Sequence, residues 1–422
     1  MLVNIILQGL LLKLRTIIFP ISSLFFSIGF LAIGYGMILT FVGVYLKELH
    51  VSNTVIGIIN AAFFLGAVSS SIFSQKIIST VGHIRSFAAF ASIMVVSFLL
   101  HSVFFNEVLW AVLRLISGFA FYALLIIIES WLNEKSSEED RGKILAIYTI
   151  IFYLSTALGQ LFLNIDEHFK QAIFTIGSVL VLFSVVTIAL TKIKEPKLTA
   201  FEKYSVPKIF SIVPLATVSS FIGGFFVGGF FTMVPVYILM QNQSIEVVSY
   251  FMLVSLLGGL ASQWPIGLLS DKYGRRKLIA FSAFFSFVIS SLFVLFTPSS
   301  TSLYLLGFLL GFSIFSIYPL AVARANDVVD ENKDIVEISR ALLFAYGIGS
   351  FISPILVGFG LSFFPEFLFA SFAFLGLFLS FYSLSKKRVA DDDLSTFVNI
   401  PVASGAELPE LDPRQDEHMP SS

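Results

Sequence analysis

Apolar residues run through this chain in stretches of helical length, and the polar residues collect in the short turns between them. A bilayer core of about 30 Å calls for about 20 apolar residues per helix. Twelve segments meet that length: 20–46, 55–74, 87–105, 108–132, 144–163, 172–190, 212–240, 247–269, 278–296, 303–323, 338–360 and 363–384. Pro235, Pro265, Pro319 and Pro354 fall inside them, which buried spans tolerate because neighbouring helices satisfy the freed backbone groups. The pattern predicts an all-α membrane protein with twelve transmembrane helices.

The cations orient it. Of 26 lysines and arginines, 22 fall on one set of turns, while Lys47 and Lys170 hold the opposite loops, Arg114 lies within a span and Arg414 near the end of the chain. The positive-inside rule makes the basic side cytosolic, and an even number of spans returns both termini to it. A basic linker with two prolines, TKIKEPKLTAFEKYSVPK, divides six spans from six. The halves echo each other at a constant separation of 192 positions, in Gly36/Gly228, Val44/Val236, Tyr45/Tyr237, Gly66/Gly258 and Gly82/Gly274. A shared offset in equivalent parts of equivalent spans predicts an internal repeat, hence two pseudo-symmetric six-helix halves.

The resulting organisation is a cytosolic or interfacial segment at 1–19, bundles at 20–190 and 212–385, a linker at 191–211 and a tail at 386–422. The opening MLVNIILQGLLLKLRT carries its charges after the apolar run, the reverse of a signal peptide. The tail is acidic, rich in proline and serine, and expected to be disordered.

Composition fits this reading. The chain is 57% hydrophobic and 13% charged, against roughly 45–50% and 25% in soluble domains, with a mean hydropathy of +0.92. A net charge of −1 leaves no nucleic-acid footprint. With no cysteine, disulfides and thiolate metal sites are excluded. No P-loop, metal-ligand cluster or nucleophile elbow is present, and the five histidines are scattered. No cofactor and no ATP-driven step is therefore expected.

One turn concentrates charge. In SQWPIGLLSDKYGRRKL, Gly267, Asp271, Gly274, Arg275 and Arg276 fit G-x-x-x-D-x-x-G-R-R at the basic end of the eighth span. Gly267 and Asp271, four apart, share a helical face, where a missing side chain lets another helix approach. Gly274 suits a turn of positive φ. The arginines can pair with carboxylates or lipid phosphates. Positive-inside bias accounts for Lys272 and Lys277, but not for the acid and two glycines at fixed spacing.

This pattern resembles the cytosolic loop signature of the major facilitator superfamily, whose fold is twelve spans in two halves. SQWPIGLLSDKYGRR, RLISGFAFYALLIIIESWLN, FSIYPLAVARANDVV and ALLFAYGIGSFISP are similar, more narrowly, to its YcaD-type branch. The resemblance implies a latch in which Asp271 docks near Arg141–Gly142 at the start of the fifth span, with Arg275 meeting Asp327. The first half departs from the signature: SQKIISTVGHIR keeps Gly82 and Arg85 but has Gln75 and Ser79 for the glycine and aspartate.

Inside the membrane, ionisable residues face cavities or partners. Arg114, Gly118, Tyr122, Leu125 and Glu129 form one stripe of the fourth span. Arg114 and Gly118 resemble a superfamily signature associated with proton coupling or substrate contact; snorkelling of the arginine to the outer headgroups is the plain alternative. For Glu129 a salt bridge with Arg85 and proton carriage both stand. Thr149, Tyr153, Thr156 and Gln160 form a second stripe, with Gln160 after Gly159 where many antiporters of the superfamily show Gly-Pro. Gln263, Trp264, Tyr318 and Tyr346 complete the candidates, although polar stripes more often hold helices together.

The expectation is a monomeric secondary active transporter of a bacterial inner membrane. It would move a small, weakly charged or amphipathic solute by alternating access, with protons as the coupling ion and export favoured over import. A non-transporting sensor or scaffold that retains the fold is the alternative. An intramembrane enzyme is not expected, because no acid/base pair lies within the spans.

Overall fold

A computed structural model describes residues 2–136, 138–165, 170–190, 213–296, 300–328 and 335–387. The predicted linker at 191–211 and the tail from 388 lie outside the described residues. Among the described residues, twelve helices are long and apolar enough to cross a membrane: Ile21–Glu48, Asn53–Val81, His83–Val103, Glu107–Lys135, Asp140–Asn164, Ala172–Ala189, Pro214–Met240, Ile245–Tyr273, Arg275–Leu295, Thr301–Asn326, Ala341–Gly360 and Phe367–Ser385. They are numbered here as spans one to twelve. The predicted segments are thereby borne out, and span one continues a helix that begins at Leu2. Buried hydrophobic side chains from all twelve form one continuous cluster.

The repeat extends to backbone conformation. His50 and Asn242, 192 positions apart, both take the left-handed region, with φ of 58° and 56°. Two residues later Ser52 and Ser244 each cap the next span, accepting from the N–H of Val55 and of Val247 at 3.4 Å. Gly82 and Gly274 end those spans with φ of 93° and 85°, where a side chain is disfavoured. Sequence identity marks only part of this correspondence.

Within each half, glycines let backbones touch, as expected in lipid, where packing rather than water drives helix association. A Cβ at Gly66 would collide with the Leu115 carbonyl of span four, and one at the equivalent Gly258 with the Phe308 carbonyl of span ten. Gly36 and Gly228 meet Thr156 and Ser350 of spans five and eleven in the same manner. Between the halves, Gly57 of span two abuts the Pro354 carbonyl of span eleven, and Gly358 abuts the Asn53 carbonyl. Asn53 Nδ2 donates to the Leu361 carbonyl at 3.1 Å, and the hydroxyls of Thr54 and Ser362 lie 3.2 Å apart. This seal stands at the end of the bundle opposite the cluster of cations.

Span ten is broken. Its helices run Ser300–Ile314 and Ile317–Asn326, and Pro319, without an N–H, leaves the Phe315 carbonyl without its donor four residues on.

Gly258→Val should cost about 1–3 kcal/mol by overpacking the contact with span ten. Gly142→Ala, where a Cβ meets nothing within 4 Å, should be neutral. Thermal unfolding of the purified protein in detergent checks both.

Candidate functional site

The halves meet around a cavity at mid-span, lined by Tyr35 of span one, Tyr122 of span four, Phe152, Tyr153 and Thr156 of span five, Val227 and Phe231 of span seven, Leu256 of span eight, Phe315 of span ten and Tyr346 of span eleven. Its volume is about 10 Å³, room for about one water. Aromatic contacts close it across the halves: Tyr35 lies 6.0 Å from Phe231, and Tyr153 meets Phe315 edge-on at 5.8 Å. Tyr35 is itself held flat on Phe121, with centroids 4.1 Å apart. The site is thus aromatic with hydroxyl groups, suited to a planar or amphipathic body.

Two predicted residues, Tyr122 and Tyr153, line this cavity, together with Thr156 of the second stripe and Tyr346. Gln160 does not. Its Nε2 donates to the carbonyls of Gly36 at 2.8 Å and Thr156 at 3.2 Å, clamping spans one and five where Gly36 lets them touch. Trp264 is 74% exposed on the outside of the bundle, set apart from the cavity on a surface that faces lipid. Gln263 is buried, and its Nε2 donates to the Gly259 carbonyl at 3.2 Å and, by a long bond of 3.5 Å, to the Phe315 carbonyl that Pro319 leaves unserved. It supports the break in span ten, and the ring of Phe315 at that break forms a cavity wall.

Arg114 is only 1% exposed, so it does not snorkel. Its Nη2 donates to Asn60 Oδ1 at 3.3 Å, and its guanidinium carbon lies 4.6 Å from the centre of the Phe63 ring. Glu129 is also buried, and accepts from the Tyr148 hydroxyl at 2.8 Å. Arg85, its ion partner in one of the two readings, is exposed. Fifteen residues of helix put Glu129 about 22 Å along the span from Arg114, too far for the two to pair.

The basic loop is a brace within the second half. Arg275 is buried, donates to Ser270 Oγ, and lies 2.5 Å from Asp271 Oδ1 and 3.7 Å from Asp327 Oδ2. Asp271, its side chain 43% exposed, thus turns to Arg275. At the start of span five, a Cβ added to Gly142 would meet nothing within 4 Å. Gly267 is buried and its carbonyl accepts from Ser270 Oγ at 2.8 Å. Gly274 makes the turn, and Arg276 Nη1 donates to the carbonyls of Lys386 at 2.5 Å and Leu384 at 3.4 Å, beyond and within the end of span twelve. In the first half, His83 stands where Arg275 stands in the second. It is buried, with Nε2 3.1 Å from Ser130 Oγ, while Ser79 bonds only its own helix, at Lys76.

Tyr35, Phe231, Phe315 and Asn60 escaped the sequence reading. Tyr35 adjoins the repeated Gly36, Phe315 stands four residues before Pro319, and Asn60 is a lone amide in an apolar run; each is a usable signal.

Gln263→Ala should destabilise the protein by about 1 kcal/mol through loss of a buried hydrogen bond. The cost should shrink when Pro319→Ala restores the missing N–H, which a double-mutant cycle of thermal unfolding measures.

The sequence profile of the Major Facilitator Superfamily matches residues 24–334 and 242–397. The chain is 24% identical over 337 residues to an uncharacterized MFS-type transporter, YcaD, of Escherichia fergusonii, covering 79% of this chain and 87% of that one. The YcaD protein of Salmonella arizonae is 25% identical over the same length. Among solved structures, the nucleoside transporter NupG superposes with a TM-score of 0.71 at 14% identity, over 87% of this chain and 99% of that one. A bacterial homologue of the human lysosomal transporter Spinster, inward-facing and unoccupied, gives 0.63 at 13% identity, over 94% and 97%. Twelve spans, a pseudo-symmetric pair of halves and a profile match over most of the length agree: the chain is a multi-pass membrane protein that belongs to the Major Facilitator Superfamily of transporters.

Proposed function

We propose that this transporter carries a small solute through the tyrosine-lined cavity by alternating access of its two halves, driven by a proton gradient, with both termini cytosolic. The cavity carries the reading. It exists only where the halves meet, takes walls from seven spans of both, and is too small for any solute until they part. The seal at Gly57, Pro354, Thr54 and Ser362 is a contact between rigid helices, of the sort that opens as a unit when packed bodies rock.

Glu129 is the proton carrier in this scheme. A carboxyl buried within a span beside a phenol hydroxyl is costly when charged, and it takes or gives a proton as rocking of the halves admits or excludes water at its end of span four. The orientation rests on the 22 cations of one side. Asp271, Arg275, Arg276 and Asp327 act as the gating brace, with Asp271 exchanging Arg275 for the start of span five as the halves close on the basic side. A protein that binds solute without moving it would instead be a sensor.

In pyranine-loaded proteoliposomes, a compound that shifts lumenal pH with the wild type should fail with Glu129→Gln, by at least tenfold in gradient-driven flux, while solute exchange without a gradient persists. Unchanged gradient-driven flux would remove Glu129 from the mechanism. The chain has no cysteine, so Thr54→Cys with Ser362→Cys supplies a unique pair. Oxidation should abolish flux and reduction restore it; full flux from the cross-linked protein would overturn alternating access.

A further inference from the structure

Arg114 and Asn60 form a cluster of donors with no anion among the described residues. Both are buried, at 1% and 0% exposure. Once Arg114 Nη2 has taken Asn60 Oδ1, Arg114 Nε and Asn60 Nδ2 remain without a hydrogen-bond partner among the described residues. Buried Arg275 has carboxylates beside it, among them Asp327; Arg114 has the face of Phe63. A buried cation with orphaned N–H groups is unfavourable alone and becomes favourable when a negatively charged acceptor arrives. The cluster lies next to the cavity: the Phe63 ring that covers the guanidinium is 6.1 Å from Tyr35 and 6.4 Å from Tyr122, both cavity walls. Gly43 of span one faces Asn60 Nδ2 at 3.6 Å from where a Cβ would stand, and faces the Thr232 carbonyl of span seven, so the cluster sits where the two halves cross.

We infer that Arg114 and Asn60 are an anion subsite and that the cargo is a monovalent organic carboxylate on an aromatic body. One guanidinium balances one negative charge. Its planar fork and the Asn60 amide match the two oxygens of a carboxylate, and the tyrosines accept the ring. The inference rests on the transporter reading, to which it adds the class of solute.

The test is thermal unfolding of the purified full-length protein at constant ionic strength, with indole-3-acetate and benzoate set against the neutral indole-3-acetamide and benzamide, and with sodium phosphate and chloride as separate arms. The acids should raise Tm and the amides should not. Arg114→Gln should unfold, without ligand, at no lower temperature than the wild type, and should weaken indole-3-acetate binding at least tenfold, with Arg114→Lys intermediate. If Arg114→Gln does not fold, Asn60→Ala should at least halve the shift given by the acids. The proposal is overturned if no acid stabilises the wild type, if acid and amide act equally, if the variants keep the preference for acid, or if phosphate or chloride alone reproduces the shift. Acid binding by a protein whose Thr54–Ser362 cross-link never affects flux would sink alternating access and leave this subsite standing; flux of neutral solutes without acid preference would do the reverse.

Discussion

Hydrocarbon offers a backbone no hydrogen bonds, and every feature of this protein follows from that constraint. Each span must close its own ladder, so each is a helix, and helices can approach one another only where side chains are absent. Glycine at Gly36, Gly66, Gly228 and Gly258 is therefore structural in the strict sense. Departures are informative. Span ten breaks at residues 315–316, and a glutamine from span eight leans over to serve the exposed carbonyl. The one irregular backbone described at mid-span is also a wall of the cavity, which agrees with the rule that unwound segments at membrane depth line internal spaces.

The duplicated halves share their scaffolding and differ in their charges. Left-handed residue, serine cap, long span and glycine turn recur at the same separation in both. At the turn itself the second half carries an aspartate–arginine–aspartate chain, where the first has a serine and a buried histidine held by Ser130. At this turn the ion-pair brace belongs to the second half. Arg276 and Arg324 extend it to the Lys386 and Lys387 carbonyls beyond span twelve, favourable positions for cations at a helix C-terminus.

Spans, repeat and family were legible in the sequence because each leaves a one-dimensional trace: apolar length, constant offset, motif spacing. The site was legible only in part. A period of 3.6 identifies the face that a residue shares, but in a helix apolar on every side it does not say whether that face meets lipid, a neighbour or a cavity. Hence the stripes of Tyr122 and Tyr153 face the cavity, whereas Trp264, from an equally plausible run, faces outward. Asp271 shows a second limit. Sequence gives its spacing to Arg275 but not whether the two side chains meet, which depends on how the turn at Gly274 places them. Asn60 and Phe315 matter through contacts with residues distant in sequence, Arg114 and Gln263, which no local pattern encodes.

The seal opposite the basic side is built largely from main chain, with Gly57 and Gly358 pressed on the carbonyls of Pro354 and Asn53. Main-chain surfaces are the same whatever residues stand elsewhere in the spans. The fit of the two halves there is therefore independent of the identity of the cavity walls, and a lineage can exchange one tyrosine for another residue without disturbing it.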